Sequence, residues 1–159
     1  MTFRTFMKTL NSILLAIFLT LISYPTLAQN YFEKSFTGQY TEQFENGKPK
    51  YEVNIIKGKK NGLEIFWYES GNKKIQTNYV DDKEDGIWNQ WYENGQMKLE
   101  AHYKNGLEHG LFKQWYVNGQ QRAESHFNHG LKDGIEQTWD KDGNKKPVVR
   151  YENGKVINP

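Results

Sequence analysis

Tyr68, Tyr92 and Tyr116 stand 24 residues apart, and Trp88 and Phe112 share that interval. A row of exposed rings could stack on sugars or on the side chains of a protein partner. The plainer alternative is that the rings pack against one another or a second copy of the chain, because large rings bury wherever they can. A basic column, Lys50, Lys74, Lys98, Arg122 and Lys146, keeps the same interval and could meet an anionic polymer or headgroup. Glu52, Glu100 and Glu124 lie two residues further along and are expected to neutralise it through cross-strand pairs.

Other reactive side chains form no catalytic or metal-binding set. His102 and His126 are one interval apart, roughly 10 Å by strand spacing, too far to share one zinc ion directly, and His109 and His129 fall in turns. The chain contains no cysteine. Asp81, Asp82, Glu84 and Asp85 crowd one turn, and the Asp140 to Gly143 segment resembles a calcium loop only superficially, because its glycine comes too early. There is no Gly-x-Ser-x-Gly and no phosphate-binding glycine loop. Ser125 and His126 are neighbours on one strand and point to opposite faces. No catalytic residue, metal site or cofactor is expected.

The elements that carry these residues follow from glycine spacing. Gly38, Gly62, Gly86, Gly110 and Gly134 are 24 residues apart, as are Gly47, Gly71, Gly95, Gly119 and Gly143. A third series, Gly58, Gly106, Gly130 and Gly154, has Asp82 standing in once, and together the three account for all 14 glycines. Trp67, Trp91, Trp115 and Trp139 keep the same beat. The period sets five repeats, 38–61, 62–85, 86–109, 110–133 and 134–157, with residues 29–37 as an N-terminal capping segment. A single repeat buries too little apolar area to offset its chain entropy, so the copies must fold by stacking.

Within a repeat, Ile87 to Tyr92 favours a strand, Asn94-Gly95 signals a hairpin, and Lys98 to Tyr103 alternates again. The expected connection is a three-residue loop, Glu93, Asn94 and Gly95, with Gly95 left-handed. That loop would place Ile87 and Trp91 with Leu99, Ala101 and Tyr103 on one apolar face. Tyr68, Trp88, Tyr92, Phe112 and Tyr116 would then project from the other. A second, wider turn from Asn105 to Gly110 is expected to lead into the next repeat. The fold class is therefore all-β, an elongated single-layer antiparallel sheet of tandem 24-residue hairpins, with almost no helix after the first 28 residues. Gln43, Asp140, Pro49 and Pro147 mark the first and last copies as caps.

Arg4 and Lys8 precede an apolar run from Ile13 to Ile22, then Pro25 and the triplet Thr26-Leu27-Ala28. This pattern predicts a helical signal peptide over residues 1–28, cleaved after Ala28, and export to the periplasm or beyond the cell. Cleavage would remove two of 21 basic residues and no acid, leaving 19 against 19. A neutral exported chain argues against nucleic-acid binding.

The segment Tyr103-Lys-Asn-Gly-Leu-Glu-His-Gly110, followed by Trp115-Tyr-Val-Asn-Gly119, resembles MORN repeats, and more narrowly their bacterial variant, over about residues 38–157. The resemblance implies a repetitive hairpin sheet used for binding or assembly. Bacterial members often carry a toxin–antitoxin antitoxin-component label, and eukaryotic relatives are linked to phosphoinositide membranes and scaffolding. The expected role is an exported, non-catalytic scaffold for an unknown protein or envelope component. A cell-wall glycan or membrane surface, and an antitoxin or immunity role, are the alternatives; an oligomer is compatible with each.

Overall fold

The computed structural model describes residues 34–158, so the signal peptide expected over 1–28 and most of the 29–37 cap lie outside the described residues. Among the described residues every regular element is a strand. They are β1 (Gly38–Gln43), β2 (Pro49–Ile56), β3 (Lys59–Trp67), β4 (Lys73–Val80), β5 (Lys83–Glu84), β6 (Gly86–Trp91) and β7 (Met97–Lys104), continued by β8 (Leu107–Trp115), β9 (Gln121–Asn128), β10 (Leu131–Lys132), β11 (Gly134–Thr138), β12 (Val149–Glu152) and β13 (Lys155–Asn158). They form one antiparallel sheet in which consecutive strands are neighbours, with β5 set on β4 and β10 on β9. Its outermost strands are β1 and β13.

Two kinds of turn alternate along the chain. At one end the expected three-residue loop is present: the Gly95 amide donates to the Tyr92 carbonyl at 2.9 Å, the Tyr92 amide donates to the Gln96 carbonyl at 2.8 Å, and Gly95 has φ +85°. A Cβ at Gly95 would meet nothing closer than the Asn72 amide nitrogen at 3.9 Å, so space is available and only the backbone dihedral objects. Gly95→Val should therefore lower stability by about 1–2 kcal/mol, read as a drop in the thermal midpoint. An unchanged midpoint would contradict the turn assignment. At the opposite end the connection is tighter than the wide turn expected. Asn105 (φ +52°) and Gly106 (φ +81°) alone join Lys104 to Leu107, the type I′ geometry whose twist suits a two-residue hairpin. Asp81 and Asp82, at φ +49° and +67°, make the same turn, so these carboxylates shape a loop. Asp82 also accepts a 2.7 Å bond from the Lys60 amide.

The register departs from expectation for a physical reason. Trp91 lies opposite Met97, but Gln90 lies opposite Leu99, so Lys98 is an extra residue on its strand. Equivalent shifts make Lys50, Lys74 and Arg122 extra residues in their own hairpins. Four of the five members of the basic column thus sit at β-bulges. Each bulge displaces the pairing by one residue and exchanges the faces. Trp88, not Ile87, lies opposite Ala101, and Phe112 lies opposite both Ala101 and Ser125. Ile87 faces His102 on the other side and is 48% exposed.

All buried residues among those described, Val53, Ile55, Glu64, Thr77, Ala101, Ala123 and Ser125, lie on the face that carries Trp88 and Phe112. Small side chains alternate there with large ones. Ala101, 1% exposed, sits between Trp88 on one neighbouring strand and Phe112 on the other. The sheet buries these positions by letting neighbouring rings lean over them, since no second layer of described structure covers it.

Candidate functional site

The five rings singled out in the sequence divide into two groups. Trp88 and Phe112 stand half-buried on the ring-lined face, among Tyr79, Tyr103 and Phe127, which occupy the neighbouring row. They do not oppose the apolar set containing Ala101; they belong to it. Phe112 and Phe127 touch with ring centroids 5.4 Å apart.

Tyr68, Tyr92 and Tyr116 begin the three-residue turns and fasten one hairpin to the next. Their hydroxyls donate to the carbonyls of Trp91, Trp115 and Trp139 at 2.9, 2.8 and 3.0 Å. The bulged cation of each hairpin then lies over the ring: Lys74 over Tyr68 at 5.5 Å, Lys98 over Tyr92 at 5.7 Å and Arg122 over Tyr116 at 5.8 Å from the centroid. The Trp67, Trp91, Trp115 and Trp139 column, half-exposed, supplies the backbone acceptors for these latches in its last three members. Gly71, Gly119 and Gly143 are left-handed like Gly95. Tyr92→Phe should lower stability by about 0.5–1.5 kcal/mol while leaving the circular dichroism spectrum intact, as chemical denaturation would show.

The bulges also redirect the charges. Lys50 pairs with Glu42 at 3.3 Å, while Glu124 is met by Lys113 at 3.7 Å and Glu100 by His102 at 3.7 Å. No ion pair joins Glu52, Glu100 or Glu124 to the basic column among the described residues, contrary to expectation. The His109 and His129 rings meet edge to face at 5.4 Å beside Lys104 and Leu107. No group of three or more metal-ligating side chains occurs among the described residues.

Sequence periodicity alone missed a set of polar groups on the ring-lined face. Glu64, 3% exposed, accepts from Lys60 Nζ at 2.5 Å and from the Tyr51 hydroxyl at 2.7 Å. The same ammonium lies 4.8 Å from the Tyr79 ring centroid. Three intervals further on, Lys132 is hydrogen-bonded to Glu136, lies 4.9 Å from the Tyr151 centroid, and Tyr151 donates to Glu136 at 3.1 Å. Burial, reinforced by Glu64, raises the Tyr51 and Tyr79 hydroxyls well above the usual phenol range, so both are donors at any physiological pH.

Between these two pairs the pattern changes. Glu84 and Glu108 replace lysine, and Trp88 and Phe112 replace glutamate. Tyr79 donates to Glu84 at 3.3 Å, and Tyr103 lies opposite Glu108. Neither carboxylate forms an ion pair among the described residues. Burial raises the Glu108 carboxyl above its ordinary value, with Lys132 opposing the shift. The signal lay in the sequence as a coupled change: positions 60, 84, 108 and 132 read Lys, Glu, Glu, Lys while positions 64, 88, 112 and 136 read Glu, Trp, Phe, Glu.

A one-layer sheet of stacked hairpins defines a tandem-repeat protein. The sequence pattern of the family described as the MORN repeat variant matches residues 36–57, 60–81 and 84–105, so this part of the chain consists of tandem MORN repeats of the variant type. Among curated proteins, none matches the chain. Tandem MORN repeats are consistent with a protein- or membrane-binding role.

Proposed function

We propose that the chain is an exported, non-catalytic scaffold that holds a protein partner on its ring-lined face at the cell envelope. One observation carries this: Trp88, Phe112 and Tyr103 stay half-exposed on the face that also buries Ala101 and Ser125, and no second layer of described structure covers them. Contiguous rings left open to solvent are the usual material of a protein interface. Export is supported by the apolar run Ile13 to Ile22 and its flanks. A glycan stacked on the Tyr68, Tyr92 and Tyr116 row has less support, because those hydroxyls already serve backbone carbonyls and one face of each ring lies under a cation.

Benzoylphenylalanine placed at Trp88 or Phe112 should yield protein adducts when the producing cells are irradiated. The same group at Lys113, on the opposite face, should yield far fewer. Absence of adducts at every position, or equal yield from both faces, would refute the assignment.

A further inference from the structure

We infer that the second and third repeats, central to the row from Lys60 to Lys132, bind a basic side chain of the partner, an arginine or lysine from an extended segment, seated between Glu84 and Glu108 against Tyr103 and Trp88. This rests on the protein-binding function proposed above and adds the chemistry of the contact.

The chain itself shows how this face receives a cation. In the flanking repeats Lys60 and Lys132 each rest on a carboxylate, Glu64 and Glu136, and over a tyrosine ring, with centroid distances of 4.8 and 4.9 Å. Those two copies satisfy themselves. The central copies also set a carboxylate beside a tyrosine, Glu84 by Tyr79 and Glu108 opposite Tyr103, but the carboxylates stand at the lysine positions, with Trp88 and Phe112 where the flanks have glutamate. The face therefore carries two self-paired flanks and a centre whose carboxylates form no ion pair among the described residues. Tyr103 belongs to that centre, because after burial the Glu108 and Glu84 charges are what raise its hydroxyl. A positive group would gain charge-assisted bonds from the carboxylates and a cation–π contact from the rings. Burial also raises Glu108, and the opposing pull of Lys132 does not outweigh it. The sign of the charge favours a basic segment of protein over an anionic membrane, which Glu84 and Glu108 would repel.

Calorimetry and tryptophan fluorescence on the purified protein test this, with a Gly/Ser peptide carrying arginines as the probe and its citrulline counterpart as the neutral control. The arginine peptide should bind about tenfold or more tightly than the citrulline peptide, as expected when an ionised hydrogen bond is lost. Glu84→Gln combined with Glu108→Gln should remove that preference. Glu84→Lys, which installs the flanking repeats' own residue, should abolish binding. Thermal melting separates loss of the site from loss of the fold, since Glu108→Gln removes a half-buried charge that forms no ion pair among the described residues and should leave the midpoint unchanged or higher. Equal binding of both peptides, undiminished binding by the double variant, or retention on anionic vesicles in place of the peptide would each overturn the inference. Protein adducts at Trp88 together with equal peptide binding would overturn this contact alone; absence of adducts would overturn the wider function as well.

Discussion

Glu64→Ala should destabilise the protein by about 3–5 kcal/mol, the usual cost of removing one member of a buried ion pair. Lys60 and Glu64 have side chains 11% and 5% exposed, so truncation leaves an ammonium and the Tyr51 hydroxyl facing an empty, dry position. The loss comes from stranding partners, not from the net worth of the bond, and a compensating pair of changes reveals this. The next repeat solves the same two positions with Glu84 and Trp88. Lys60→Glu combined with Glu64→Trp copies that solution except at Tyr51, where the next repeat has Ile75, and should recover part of the stability lost in Glu64→Ala, the Tyr51 hydroxyl still lacking its acceptor. Urea denaturation of the three proteins provides the comparison. A Glu64→Ala loss below about 1 kcal/mol would mean that water reaches the pair.

The second large effect concerns deletion. Removing residues 86–109 excises one full interval and joins Asp85 to Gly110, a position equivalent to Gly86. Strand direction, faces and both turn types continue across the junction. The shortened protein should fold cooperatively with a lower thermal midpoint, because one repeat and one interface are lost. Removing residues 98–109 takes half as many residues yet should prevent folding. Met97 would then run into Gly110, and every later strand would point the opposite way. The Tyr116 latch would arrive at the end of the sheet where the two-residue turns belong. Circular dichroism and size-exclusion chromatography distinguish the outcomes; a cooperative melt from the half-interval deletion would refute the stacking described above.

Much of this fold is written in the glycines. Their spacing yields the period, and Asn94-Gly95 marks a hairpin, but the dipeptide fits a two-residue or a three-residue loop; the three-residue loop with left-handed Gly95 is present although the grouping of Ile87 and Trp91 with Ala101 that favours it in the sequence is not. The exchange of faces was not legible. The bulge at Lys98 changes which residues are opposite one another without altering the interval, so a regular repeat looks the same with or without it. Apolar content could not arbitrate either, since Ile87 and Trp91 on one side compete with Trp88 on the other. The Asn105-Gly106 turn was misjudged because Leu107 and Glu108, counted as loop, return directly to pairing with Lys104 and Tyr103. The Lys60–Glu64 pair was legible only as a coupled substitution, which a search for constant columns passes over.

The backbone bonds at the two-residue turns have a direction, opposite to that of the tyrosine latches. The amides of Asp82, Gly106, Gly130 and Gly154 donate to carbonyls at Lys60, Glu84, Glu108 and Lys132, each in the preceding copy, and the Gly58 amide donates likewise to Phe36, just before the first copy. A chain that emerges amino terminus first thus presents each of these turn acceptors before its donor, while each tyrosine latch waits for a carbonyl of the next copy. Assembly can proceed like laying courses of brick, each new course set on one already in place. An arriving hairpin need search only the rim of the last completed one, which keeps the contacts it must find close in sequence and the process fast.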